Sequence, residues 1–266
     1  MGTRVGQVIE LKSGRWRAAV APDRGGRLRW LGANGSGGQE SWLRPLLIER
    51  GTLVGGGAVR LVPPSEVAED MAHLVPDPGA FEEPWRVIHQ ASDAITLMLN
   101  PCSPAPGTWG LQASQTLRLD ECRLDWTLSV RNLSRMPMPA RLGWLLNFPD
   151  DFADAAWLDD TLDVVKLAGR GQVARRDPWC GIASLSGAGG RLVLLRGEPP
   201  MDTLSFERHP TRTSVQLRLM TPDTPRLTPL PRGEELTLRL SIELLESRTP
   251  PLPRVPPHNP SGSLIL

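Results

Sequence analysis

Residues Cys122–Phe148, CRLDWTLSVRNLSRMPMPARLGWLLNF, decide the fold. Leu124, Trp126, Leu128 and Val130 fall on one side of an extended chain, and Arg123, Asp125, Thr127 and Ser129 on the other. A period of two is that of a strand with one buried face. Asn132, Pro137 and Pro139 interrupt the run, and a second strand is expected from Arg141. The same alternation recurs at Glu235–Leu245, where Leu236, Leu238, Leu240, Ile242 and Leu244 share a face. Shorter strands are expected at Trp16–Val20, Arg27–Leu31, Arg44–Ile48, Arg86–His89, Ala94–Leu99, Ser114–Leu119, Leu162–Leu167, Arg191–Leu195, Thr203–Phe206 and Ser214–Met220. With 26 Gly and 27 Pro, breakers are too frequent for long helices; a single thin helical pattern lies at Ser65–Met71. Many short strands between Gly- and Pro-rich turns predict an all-β sandwich or barrel.

The bulk numbers exclude several function classes. The chain of 266 residues is 40% apolar and carries a net charge of +1. No apolar run approaches the roughly 20 residues that cross a bilayer as a helix. The opening residues lack a continuous apolar stretch of the secretory type, so a cytoplasmic protein with no membrane partner is expected. The arginines are dispersed, most of them alternating with apolar residues on strands. Nucleic-acid binding, which wants a dense basic stripe, is therefore not expected. Cys102, Cys122 and Cys180 are odd in number and far apart, and His73, His89, His209 and His258 are scattered. Neither set has ligand spacing, so no metal and no cofactor is expected.

Strand, Val130-x-Asn132, a small polar loop, Met136-Pro-x-Pro139 and a strand opening on Leu142-Gly143 resemble the middle of the aldose 1-epimerase, or galactose mutarotase, family. Other segments follow in that family's order. Pro22 followed by Gly25-Gly26-Arg27-Leu28 resembles its opening hairpin. Gly55–Pro64 is similar to a glycine- and proline-bearing segment of divergent members. Trp85-Arg86-Val87 matches a W-x-V strand, Thr221–Pro225 resembles a P-D-x-P segment, and Leu230–Glu234 resembles the approach to the last strand. The likeness spans residues 10 to 245. It implies a β-supersandwich over 1–247, built of large antiparallel sheets with a concave sugar-binding groove. Residues 248–266 then form a Pro-rich tail of extended or surface-laid character.

Anomer interconversion needs a base at the C1 hydroxyl and an acid at the ring oxygen. By the resemblance these would be a Glu and a His. Counting back from Asp223 places the base on Leu217, with Gln216 beside it. The acid falls on Leu145, or two residues on at Asn147. None of these side chains transfers protons. His73, at nearly the family spacing before Trp85, and Glu66 are the candidates for a rebuilt catalytic pair, with a solvated loop as the alternative reading of both. Arg60, Trp144, Asn147, Gln216 and Asp223 are the candidate sugar-binding residues. An Arg can clamp hydroxyls or a phosphate and a Trp can stack on a pyranose. The alternatives are an ion pair for Arg60 and core packing for Trp144, which stands among Leu145, Leu146 and Phe148. The expected partner is a sugar or sugar derivative. Three functions fit: a carbohydrate-binding protein without the familiar Glu/His pair, an active aldose or sugar-phosphate 1-epimerase with a rebuilt pair, and a non-enzymatic scaffold.

Overall fold

In a computed structural model of the chain the described residues are 7–35, 38–49, 52–62, 78–99, 110–139, 141–152, 155–157, 164–165, 169–209, 214–223 and 226–246. The chain first forms β1 (Ile9–Ser13), β2 (Trp16–Ala21), β3 (Arg27–Gly35) and β4 (Gly38–Ser41). A small hairpin of β5 (Leu47–Glu49) and β6 (Thr52–Val54) leads to β7 (Gly57–Val62). Next come β8 (Trp85–Gln90), β9 (Ala94–Leu99), β10 (Leu111–Asp120), β11 (Arg123–Asn132) and β12 (Arg141–Pro149). The short β13 (Ala155–Trp157), β14 (Val164–Val165) and β15 (Val173–Arg176) follow. The last elements are β16 (Ile182–Ser186), β17 (Arg191–Gly197), β18 (Thr203–Arg208), β19 (Ser214–Met220) and β20 (Glu235–Glu246).

Among these residues the strands form two antiparallel nine-stranded sheets. The first has the order β1-β2-β3-β7-β12-β19-β18-β15, with β4 paired on β3, and the second the order β14-β13-β16-β17-β20-β11-β10-β9-β8. The all-β expectation is met. The opening stretch supplies one central strand to each sheet, β11 to the second and β12 to the first.

The alternation works as read. Leu124, Trp126, Leu128 and Val130 of β11 are wholly buried, as are Leu238 and Ile242 of β20. On β12 the even positions Leu142, Trp144, Leu146 and Phe148 are buried too. Between the sheets, Trp126 and Trp144 meet edge to face with centroids 6.2 Å apart, a geometry that adds to area burial. Burying each large apolar side chain contributes about 1.5–3 kcal/mol, so the even positions of β12 commit that strand to one orientation.

Asn132 closes the loop between β11 and β12. Its Nδ2 donates to the carbonyls of Met136 (2.7 Å) and Leu230 (2.9 Å), and its Oδ1 accepts from the Ser134 N–H at 2.9 Å and from the Ser134 hydroxyl at 2.5 Å. A fully buried amide is tolerated when its polar atoms are paired in this way. In the M-P-x-P segment that follows, Met138 forms an antiparallel bridge with Leu230.

Several strands differ from expectation. β7 escapes the alternation rule because Gly57-Ala-Val-Arg-Leu-Val has one polar residue. β15 and β16 are short, and β1 lies at a sheet edge. The expected strand Leu162–Leu167 is seen at Val164–Val165. The helical pattern at Ser65–Met71 and the tail at 248–266 lie outside the described residues. Among the described residues no helix is long and apolar enough to cross a membrane.

Candidate functional site

Five neighbouring strands of the first sheet, β7, β12, β19, β18 and β15, turn every second residue away from the core. These side chains line an open trough of about 500 Å³, within the range of about 300–1,000 Å³ usual for small-molecule sites. Register arranges this stretch of the sheet, the trough lining and its immediate neighbours, in cross-strand rows. One runs Ala58, Leu145, Arg218, Ser205, Arg175. A second runs Arg60, Gly143, Met220, Thr203, and a third Asn147, Gln216, Glu207, Val173. Gly143 is required where it stands: a Cβ there would lie 1.9 Å from the Leu219 carbonyl oxygen.

The third row holds two of the sequence candidates face to face. Leu217 is buried in the core, so its neighbour Gln216 is the residue that β19 offers outward. Gln216 pairs in register with Asn147, and its Nε2 donates to Asn147 Oδ1 at 3.2 Å. Asn147 in turn donates through Nδ2 to the carbonyls of Gly55 (3.3 Å) and Gly56 (3.1 Å). Its backbone is tied as well, by a 2.9 Å bond from its N–H to the Gly56 carbonyl and a 2.8 Å bond from the Arg44 N–H to its own carbonyl. Two neutral amides thus stand one and two residues from Leu217 and Leu145, the positions to which the resemblance assigns a base and an acid.

The charged candidates are held by counter-charges. Arg60 lies in the trough wall and donates to Glu82 at 2.9 Å, and the buried Arg27 donates to the same oxygen at 2.9 Å. Burial lowers the Arg27 pKa and the Arg60 charge lowers it further, and Glu82 opposes both without cancelling them. Asp223 is buried and accepts from Arg141 Nη1 at 2.8 Å. Burial also lowers the Arg141 pKa, against the pull of Asp223. Arginine stays charged through shifts of this kind.

Trp144 is wholly buried, its ring against Trp126 in the core, and it borders the trough from beneath rather than standing exposed in it. Its place follows from its even position on β12, the packing alternative that its apolar neighbours signal. Glu66 and His73 lie outside the described residues. Arg141, Arg175, Ser205, Glu207 and Arg218 line the trough although the sequence reading did not single them out. Their signal was present: Gln216 and Arg218 alternate with Val215, Leu217 and Leu219, so they must face away from the core. Among the described residues no three His, Cys, Asp or Glu side chains come together as a metal cluster.

No protein-family model and no curated protein matches the sequence. Solved structures do match. A galactose mutarotase-like protein from Lactobacillus casei ATCC 334 is similar at 14% identity and a TM-score of 0.67, over 90% of this chain and 100% of that one. A galactose mutarotase related enzyme from Lactobacillus acidophilus is similar at 10% identity and a TM-score of 0.67, over 90% and 98%. A GalM/aldose epimerase homologue from C. elegans is similar at 10% identity and a TM-score of 0.62, over 91% and 99%. The two sheets, their order and these whole-length matches lead to one conclusion: the chain has the β-sandwich fold of the aldose 1-epimerase and galactose mutarotase-like proteins.

Proposed function

We propose that this chain binds a saccharide in the trough of its first sheet and does not interconvert anomers by the Glu/His route. The observation that carries the reading is the register of β12 against β19, which sets Asn147 opposite Gln216. Ring opening requires groups that take up and release protons near working pH, and carboxamides do neither. Hydrogen-bond donors and acceptors on a floor with apolar patches, such as Leu145 and Val62, suit a polyhydroxylated ring. The fold likeness supports the same ligand class.

The test is a thermal-shift series against neutral and charged hexoses, comparing the natural chain with Leu145→Trp, which fills the floor. A ligand that binds the folded state raises the melting temperature by mass action. The expected result is stabilisation by at least one sugar that Leu145→Trp abolishes. No shift across the panel would favour the scaffold reading and overturn this one. Accelerated anomer exchange would instead point to a rebuilt pair such as Glu66 with His73.

A further inference from the structure

We propose that the trough selects an anionic saccharide, a sugar bearing a phosphate or carboxylate, and that Arg218 and Arg175 hold the anion across Ser205. This rests on the saccharide reading above and goes further by naming the class of sugar. Among the described residues the trough lining carries Arg60, Arg141, Arg175 and Arg218 against Glu207 as its one carboxylate. Two of the four arginines are committed to the fold. Arg141 is inside with Asp223, their side chains 13% and 5% exposed, and Arg60 shares Glu82 with the buried Arg27.

Arg218 and Arg175 are different. Their side chains are 53% and 52% exposed. Ser205 pairs in register with Arg175 on one side and with Arg218 on the other. Residues directly opposite on antiparallel strands have Cβ atoms about 4.5–5.5 Å apart, so two arginine side chains are rooted on either side of one serine. Arginine is the side chain best shaped to grip phosphate or carboxylate through paired N–H donors.

The present partners of these two arginines are displaceable. Glu207 lies 3.6 Å from Arg218, beyond hydrogen-bond length. Ion pairs this exposed contribute about 0–1 kcal/mol. Asp177, which bonds Arg175 at 2.6 Å, is also in contact with Arg226, so it keeps a counter-charge when Arg175 swings to a ligand. An arriving anion therefore leaves Asp177 paired, and it draws Arg218 only from a contact longer than a hydrogen bond.

The experiment is calorimetric titration with glucose, galactose and mannose, their 6-phosphates, the matching hexuronates, and inorganic phosphate. The expected result is that a charged sugar binds at least about tenfold tighter than its neutral parent, a gap of about 1.4 kcal/mol. That advantage shrinks as salt rises from about 0.1 M to about 1 M, which shortens the screening length from ~10 Å to ~3 Å. Arg218→Ala and Arg175→Ala each reduce the advantage, and Arg218→Lys retains part of it. Arg239→Ala, on the outer face of the second sheet and paired there with Glu198, leaves it unchanged. Both trough arginines are half exposed, so these variants fold, as their melting temperatures will record. Equal affinity for charged and neutral sugars, or an advantage that survives both alanine variants, would overturn the anion cradle while leaving saccharide binding intact. Inorganic phosphate binding as tightly as a sugar phosphate would also overturn it, because the sugar would then contribute nothing. Silence from every sugar would overturn both readings.

Discussion

Gln115 is a buried polar link between the two sheets, and replacing it with leucine probes the fold at its centre. The side chain stands on β10 and is 1% exposed. Its Oε1 accepts from Trp126 Nε1 at 2.9 Å, and its Nε2 donates to the Gly26 carbonyl at 3.2 Å. Gly26 lies in the turn before β3, in the other sheet, with φ of 59°. A Cβ on that residue would come within 2.0 Å of Gln115 Nε2, so the glycine and the amide fit only together. Gln115→Leu leaves an indole N–H and a carbonyl buried without partners. Each orphan costs about 1–3 kcal/mol. The added apolar burial returns about 1 kcal/mol at most. The net loss expected is about 2–4 kcal/mol, read as a fall in urea midpoint at constant slope. Repeating the change in a Trp126→Phe background removes one orphan beforehand, so the second measurement should show a smaller cost by about 1–2 kcal/mol. A loss under about 1 kcal/mol, or strict additivity of the two changes, would refute the reasoning.

Three further outcomes follow from the same kind of reading. Asn132→Ala strips bonds from two carbonyls and from Ser134 and should cost about 2–4 kcal/mol; a near-neutral urea midpoint would show that water replaces the amide. Glu121, the one non-glycine residue with positive φ among those described, at 46°, forms the β10–β11 turn, and Glu121→Asn should stabilise the chain by about 0.5–1 kcal/mol because asparagine tolerates that conformation better. A lowered melting temperature would contradict that account. Glu82→Gln leaves the buried Arg27 beside Arg60 with no full counter-charge and should cost about 1–3 kcal/mol, reduced from the cost of a fully buried pair by the exposure of Glu82. The loss should grow when salt is lowered, and salt independence would argue against a charge effect.

What could be read from the sequence was set by periodicity. β11, β12 and β20 announce their buried faces because Leu, Trp and Ile alternate with polar residues over many positions. The parity of Trp144 with Leu142, Leu146 and Phe148 marks it as a core residue as plainly as the structure does. The same rule places Gln216 and Arg218 outward. Parity fixes a face and not a partner, however. That Asn147 meets Gln216, and that Ser205 sits between Arg175 and Arg218, depends on register between strands far apart in the chain, which local pattern does not encode. β7 and β15 were hidden for a simpler reason: a glycine-led apolar strand and a four-residue edge strand, Val-Ala-Arg-Arg, carry too little alternation to be recognised.

The central claim is that the trough holds a saccharide beside an amide pair that moves no protons. Its most direct test is an NMR sample containing the protein and the tightest-binding hexose of the panel, on which saturation transfer and anomer exchange are measured together. The account predicts saturation passing from protein to sugar while the two anomers interchange at the rate of buffer alone. Anomers that interchange faster with the protein present, or a sugar that receives no saturation, would contradict it.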